Sequence, residues 1–133
     1  ESRALGADCI LLIHSVLNYN TMQRYIKIAY DLNMDVLVET NSIEELKYWV
    51  NNDEILLGIN NRNLKNMHVD INHSISLIKN IKNNINIICE SGIINEKDID
   101  YLLKNKFKTF LIGELLMRSS NPDILLKNFL DKC

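Results

Sequence analysis

The texture of its short apolar runs constrains this chain more than any other feature. Cys9–Ile13, Val36–Val38, Ile55–Ile59, Ile85–Ile88 and Thr109–Ile112 are rich in Ile, Leu and Val and do not alternate with polar residues. A strand with one wet face alternates. Continuous runs are expected where both faces of a strand are covered, as in parallel sheets with helical crossovers. The segments between the runs carry helical periodicity. Thr21–Leu32 sets Met22, Tyr25, Ile26, Ile28, Ala29 and Leu32 on one stripe. Ser42-Ile-Glu-Glu45 reads as a capping box that starts a helix with Leu46, Trp49 and Val50 inward. Ile71–Ile81 spaces Ile71, Ile75, Leu77, Ile78 and Ile81 as a helix does. Asn95–Leu103 opens on a capping residue and buries Ile99, Leu102 and Leu103. Asn121-Pro122 is an N-cap with proline in the first helical position, ahead of inward Leu125, Leu126, Phe129 and Leu130. Five βα units follow one another with no linker. Such alternation implies an α/β fold with parallel strands, either doubly wound or closed as a barrel.

Length and charge narrow the function classes. The chain has 133 residues, enough for one domain, and is 47% hydrophobic and 24% charged, enough to bury a core. A net charge of −2 with no Lys/Arg run gives no electrostatic case for nucleic acid or an anionic membrane. No apolar run reaches the ~20 residues of a membrane helix. Glu1-Ser2-Arg3 leads into no extended apolar segment, so no secretory signal is expected there. Cys9, Cys89 and Cys133 form no CxxC. Cys9 and Cys89 lie in apolar runs and read as buried thiols of a reducing compartment, which implies a cytoplasmic protein. Asn, Ile and Lys are abundant, a bias that gives isolated Asn and Lys residues low weight.

Polar residues at the ends of the runs carry the chemistry. Val36-Leu-Val38 ends in Glu39, Leu57-Gly-Ile59 in Asn60, and Asn86-Ile-Ile-Cys89 in Glu90. In parallel strands these ends share one side, where barrels and doubly wound sheets carry their functional loops. A carboxylate against a low-dielectric wall suits a general acid or base. Glu90-Ser91-Gly92 and Ile112-Gly113-Glu114 place glycine just after a strand, where backbone N–H groups can approach a phosphate, and Glu114–Met117 is a short helix. The longer loop, Asn61–Val69, follows a strand. His14, His68 and His73 make no metal pattern, and His14 reads as a structural histidine. No Walker loop, GxGxxG or nucleophile elbow occurs. Tyr25, Tyr30, Tyr48 and Trp49 read as packing residues.

Taken in order, Gly6-Ala-Asp-Cys-Ile-Leu-Leu-Ile13, Met34-Asp-Val-Leu-Val-Glu39, Gly58-Ile-Asn-Asn-Arg-Asn-Leu64, Glu90-Ser-Gly92 and Phe110-Leu-Ile-Gly113 with Leu116-Met117-Arg118 closely resemble the indole-3-glycerol phosphate synthase family of tryptophan biosynthesis. The resemblance implies the fourth to eighth βα units of a (β/α)8 TIM barrel, one partial domain over residues 1–133 lacking the first three strands. It implies a carboxy-lyase that closes the ring of 1-(2-carboxyphenylamino)-1-deoxyribulose 5-phosphate with loss of carbon dioxide and water, without metal or organic cofactor. Carried over by motif, Glu39 is the general base assisting dehydration. Asn60 and Arg62 orient polar and carboxylate groups of the substrate, and Glu90 holds the polar network and contacts its hydroxyls. Ser91 and Gly92 line the site, with Gly92, Gly113 and Glu114 at the phosphate. The family's essential lysines belong to strands not present here, and Lys65 is no substitute. The family often has Ser one position after Glu114, where this chain has Leu115, and the Glu114 carboxylate has to turn away from a phosphate dianion.

An isolated segment of this kind is expected to be a portion of a longer protein and to lack turnover. Its open strand edges call for the missing N-terminal half-barrel or for self-association. The alternatives are another phosphate-binding barrel enzyme, such as a phosphoribosyl-anthranilate isomerase or a tryptophan synthase α-like lyase, or a truncated, non-catalytic half-barrel. The polar run from Gly58 to Leu64 together with Glu39 favours the synthase.

Overall fold

The computed structural model describes residues 1–79, 81 and 86–132. The strands are β1 (Cys9–Ile13), β2 (Asp35–Thr40), β3 (Leu56–Asn60), β4 (Ile87–Glu90) and β5 (Thr109–Leu111). The helices are α1 (Tyr19–Asp31), α2 (Ile43–Trp49), α3 (Asn72–Ile78), α4 (Glu96–Lys104), α5 (Glu114–Arg118) and α6 (Pro122–Leu130). Ile85 and Cys133, which figured in the sequence reading, lie outside the described residues. The strands follow chain order, β1-β2-β3-β4-β5, in a five-stranded sheet. A doubly wound sheet reverses its order at a switch point, whereas a barrel does not. The uninterrupted order is therefore that of a segment of a (β/α)8 barrel. The chain divides into two compact units, Glu1–Ile59 and Asn60–Cys133.

In the first unit β1, β2 and β3 pair in parallel. The register aligns Leu12 with Val38 and Val38 with Leu57. This row is buried, and so are Met22, Ile26 and Ala29 of α1 and Leu46 and Trp49 of α2. Met22, Ile26 and Ala29 stand at i, i+4 and i+7, a stripe narrower than the sequence suggested. Ile28 points away from it and is exposed, as is Leu32, which lies beyond the last helical residue. The opposite face carries the row Leu11, Leu37, Leu56 and, two residues on, the row Ile13, Glu39, Gly58. Leu11 is 47% and Leu56 46% exposed. The expectation that every apolar run is covered on both faces therefore fails for β1 and β3. Cys9, on this same face and paired with Asp35, is exposed and not a buried thiol.

In the second unit β4 pairs β5 in parallel, with Cys89 opposite Phe110 and Glu90 opposite Leu111. Ile87 and Cys89 are buried, along with Ile75, Leu77, Ile99, Leu102 and Phe107. Leu111 is 51% exposed. The sequence placed the end of α3 at Ile81, but the helix stops at Ile78. Asn95 caps α4 with both arms of a capping box, its side chain accepting from Lys97 N and its N–H donating to Asp98 Oδ2 at 3.0 Å. Asn121 does not cap α6 through its side chain, which donates to Ser120 Oγ instead. Of the four apolar residues expected inward on α6, Phe129 is buried and Leu125 partly so, while Leu126 and Leu130 are exposed. Lys132 Nζ fixes the end of the chain to α4 through both Asp100 oxygens at 2.9 Å.

Candidate active site

Glu39 comes from the first unit. It closes β2, is 5% exposed, and lies on the face where its partner in β3 is Gly58, a residue with no side chain. Its backbone carbonyl accepts from His14 N at 3.0 Å, which locks the carboxyl end of β1 to that of β2. Thr40, one residue on, points to the helical side, where its hydroxyl donates to Gly58 O at 2.7 Å in the buried layer. His14 Nδ1 accepts from the buried Trp49 indole N–H at 2.7 Å, beside Tyr48 and Tyr19 at ring-centroid distances of 5.4 Å from His14 to Tyr48 and 5.6 Å between the two tyrosines. Tyr48, read as a packing residue, stands mostly in solvent because its α2 neighbour Trp49 takes the inward position.

Asn60, Arg62, Glu90, Ser91, Gly92, Gly113 and Glu114 come from the second unit. Asn60 is buried at the end of β3, and its Oδ1 accepts from Arg62 N at 2.8 Å. This Asx-type turn swings the chain out of the sheet and sets the Arg62 backbone. Asn61, between them, is a buried knot that the sequence reading did not single out. Its Oδ1 accepts from Ser74 N at 2.9 Å, and its Nδ2 donates to Ser91 O at 3.0 Å and to Cys89 Sγ at 3.3 Å. Its N–H reaches Glu90 O at 2.9 Å, and its carbonyl accepts from Asp70 N at 3.1 Å. One side chain thus joins the loop after β3, the start of α3 and the end of β4.

The rest of the loop is built the same way. Asn63 Oδ1 accepts from Lys65 N, and Asn66 Oδ1 accepts from His68 N. Asp70 Oδ1 takes both the backbone and side-chain N–H of Asn72, which holds its carboxyl below the usual range. The asparagines discounted as compositional bias are the loop's scaffold, and the available signal was their spacing: Asn63, Asn66 and Asp70 each sit two residues before the N–H they bind.

Glu90 closes β4 and is 2% exposed. Ser91 and Gly92 follow with φ of +62° and +84°. At Gly92 an added Cβ would lie 2.9 Å from Val69 Cγ1, so close packing and backbone conformation both require glycine. Gly113, by contrast, has open space and an ordinary negative φ of −116°. Arg62 Nη2 meets Glu114 Oε2 at 3.3 Å, and Glu114 Oε1 meets Arg118 Nε at 3.0 Å. The Glu114 carboxylate is thus held by two guanidinium groups. Burial pushes the Cys89 thiol above its ordinary value, with hydrogen bonds from Ser74 and Asn61 opposing. Among the described residues, no three His, Cys, Asp or Glu side chains are grouped to hold a metal ion, and no helix is long and apolar enough to cross a membrane.

Parallel strands in chain order with alternating helices define the class, a barrel-type βα protein; buried Glu39 closes β2 in the first unit, and buried Asn60 and Glu90 close β3 and β4 in the second. The sequence model of the indole-3-glycerol phosphate synthase family matches residues 1–129, and the chain belongs to that family. An indole-3-glycerol phosphate synthase of Polynucleobacter asymbioticus is 40% identical over 126 residues, covering 95% of this chain and 47% of that protein. One from Ruminiclostridium cellulolyticum is 41% identical over 121 residues, covering 91% of this chain and 46% of its own length. The chain therefore spans about half the length of the curated relatives it matches. Among solved structures, the crystal structure of the Amycolatopsis orientalis BexX/CysO complex contains a similar fold, with a TM-score of 0.62 at 14% identity, over 98% of this chain and 59% of that one.

Proposed function

We propose that this chain forms the later part of an indole-3-glycerol phosphate synthase, a cytoplasmic carboxy-lyase acting on 1-(2-carboxyphenylamino)-1-deoxyribulose 5-phosphate. The observation that carries the reading is the match to the family over residues 1–129 together with burial of Glu39, Asn60 and Glu90 at three successive strand ends. In this reading Glu39 is the general base of the dehydration. Asn60 fixes Arg62 through its turn, and the Arg62 guanidinium takes the substrate's carboxylate. Glu90 contacts substrate hydroxyls from a backbone position set by Asn61, and Ser91 lines the site beside it. Gly92, Gly113 and Glu114 offer backbone N–H groups to the phosphate. No metal or organic cofactor takes part. The partial barrel of residues 1–133 is completed by an N-terminal half-barrel or, failing that, by a second copy along its open strand edges.

A chimera tests the reading. This chain replaces the matching half of the Polynucleobacter asymbioticus enzyme, and indole fluorescence follows the product. The chimera is expected to turn over, and Glu39→Gln within it to lower kcat by about 100-fold or more. The 133-residue chain alone is expected to show no turnover. A chimera that folds and binds substrate but is inert overturns the assignment, as does an unimpaired Glu39→Gln form.

A further inference from the structure

In the Arg62–Glu114–Arg118 cluster a side-chain carboxylate occupies a guanidinium proposed above to bind ligand. Glu114 sits at the start of α5 and is largely solvent-exposed. Its two oxygens are divided, Oε2 to Arg62 at 3.3 Å and Oε1 to Arg118 at 3.0 Å, four residues along the same helix. Arg62 is the more buried of the two arginines, and its backbone is pinned by Asn60 and by the Arg62–Val69 bridge. The cluster therefore presents a positioned guanidinium, one of whose partners is an exposed, solvated carboxylate. Such a partner is held weakly and exchanges readily for another carboxylate. Arg118 keeps Glu114 nearby after that exchange, so the displaced group has a second cation to bind.

The geometry points to Glu114 as a built-in stand-in for the substrate's aryl carboxylate: it occupies Arg62 when the site is empty and has to be displaced when a carboxylate ligand binds. The inference rests on Arg62 being the carboxylate ligand of the site proposed above. It makes Glu114 a residue that sets the site's affinity for monoanionic aryl acids. The cluster carries one net positive charge with Glu114 ionised and two when it is neutralised.

The test compares the full chain with Glu114→Gln in calorimetric titrations against anthranilate, an aryl carboxylate without phosphate, and against glycerol phosphate. Glu114 is exposed, so the variant keeps the fold. Anthranilate affinity is expected to rise about three- to tenfold at low salt, the gain shrinking as salt is added, and to rise by more than glycerol phosphate affinity does. No gain for anthranilate, while the wild-type chain binds it, overturns the inference and leaves the site reading standing. An equal gain for both anions also overturns it, since that is a general field and not competition at Arg62. Absence of anthranilate binding in both proteins overturns the inference together with the carboxylate role of Arg62.

Discussion

Asn61 shows how a single amide can hold a strand-end site. Replacing it with Ala leaves Ser74 N in the buried layer without its acceptor and releases Ser91 O from its donor. Buried groups stripped of partners cost far more than an average hydrogen bond contributes. Asn61→Ala is therefore expected to lower stability by about 2–3 kcal/mol, read from urea denaturation followed by circular dichroism. The two internal cysteines should behave oppositely. Cys9 is exposed and Cys89 buried, so iodoacetamide is expected to modify Cys9 in the native chain and Cys89 only in denaturant, as peptide mass mapping would show. The raised thiol of Cys89 also has a pH consequence. Its contribution is fully present below the ordinary thiol value of 9.0 and is lost as pH rises through the higher folded value, because the unfolded chain releases the proton first. Loss of stability above pH 9.0 should be shallower in Cys89→Ala, measured by thermal midpoints across that range.

At the scale of the elements, caps decided where helices begin, and their chemistry separates two asparagines that look alike in the sequence. Asn95 receives Lys97 N and gives its own N–H to Asp98, whereas the Asn121 side chain binds no backbone N–H of α6. Asn95→Ala is expected to cost about 1 kcal/mol and Asn121→Ala a few tenths, compared by thermal denaturation. Much of the element layout was legible. Cys9–Ile13 forms β1 over the residues expected, because an unbroken Ile/Leu run followed by a polar loop has few other uses. Ser42 caps α2, with Glu45 N donating to its hydroxyl. The start of α1 was placed two residues late although Asn18, three residues before Thr21, is the capping signal. Coverage of the strands was not legible. A continuous apolar run states that both faces prefer company. It does not state that the chain itself supplies it, and Leu11, Leu56 and Leu111 are the residues at which it does not.

At the scale of the whole molecule, the order of the strands and the shortfall in length against relatives belong together. In the strand order, β1 and β5 each have a neighbour on one side. Exposed leucines on β1 and β5 add apolar surface to those edge strands. Such edges associate. Sedimentation of the chain is expected to show concentration-dependent assembly, and a Leu11→Lys, Leu111→Lys pair to shift it toward monomer. A wild-type chain that sediments as a monomer at all concentrations contradicts this expectation. Of the candidate site residues, Glu39, Asn60 and Glu90 stand out in the sequence because they end apolar runs, and Arg62 enters only through the family resemblance. The pairing of Arg62 with Glu114, 52 residues apart, was not legible there, since no local pattern encodes it.

The indole of Trp49 can only give a hydrogen, so the His14 nitrogen facing it has to be the bare one. The neutral imidazole is consequently committed to a single tautomer, with its hydrogen on Nε2. That choice is made by α2, three elements downstream, and nitrogen-15 chemical shifts of His14 should change when Trp49 is exchanged for phenylalanine.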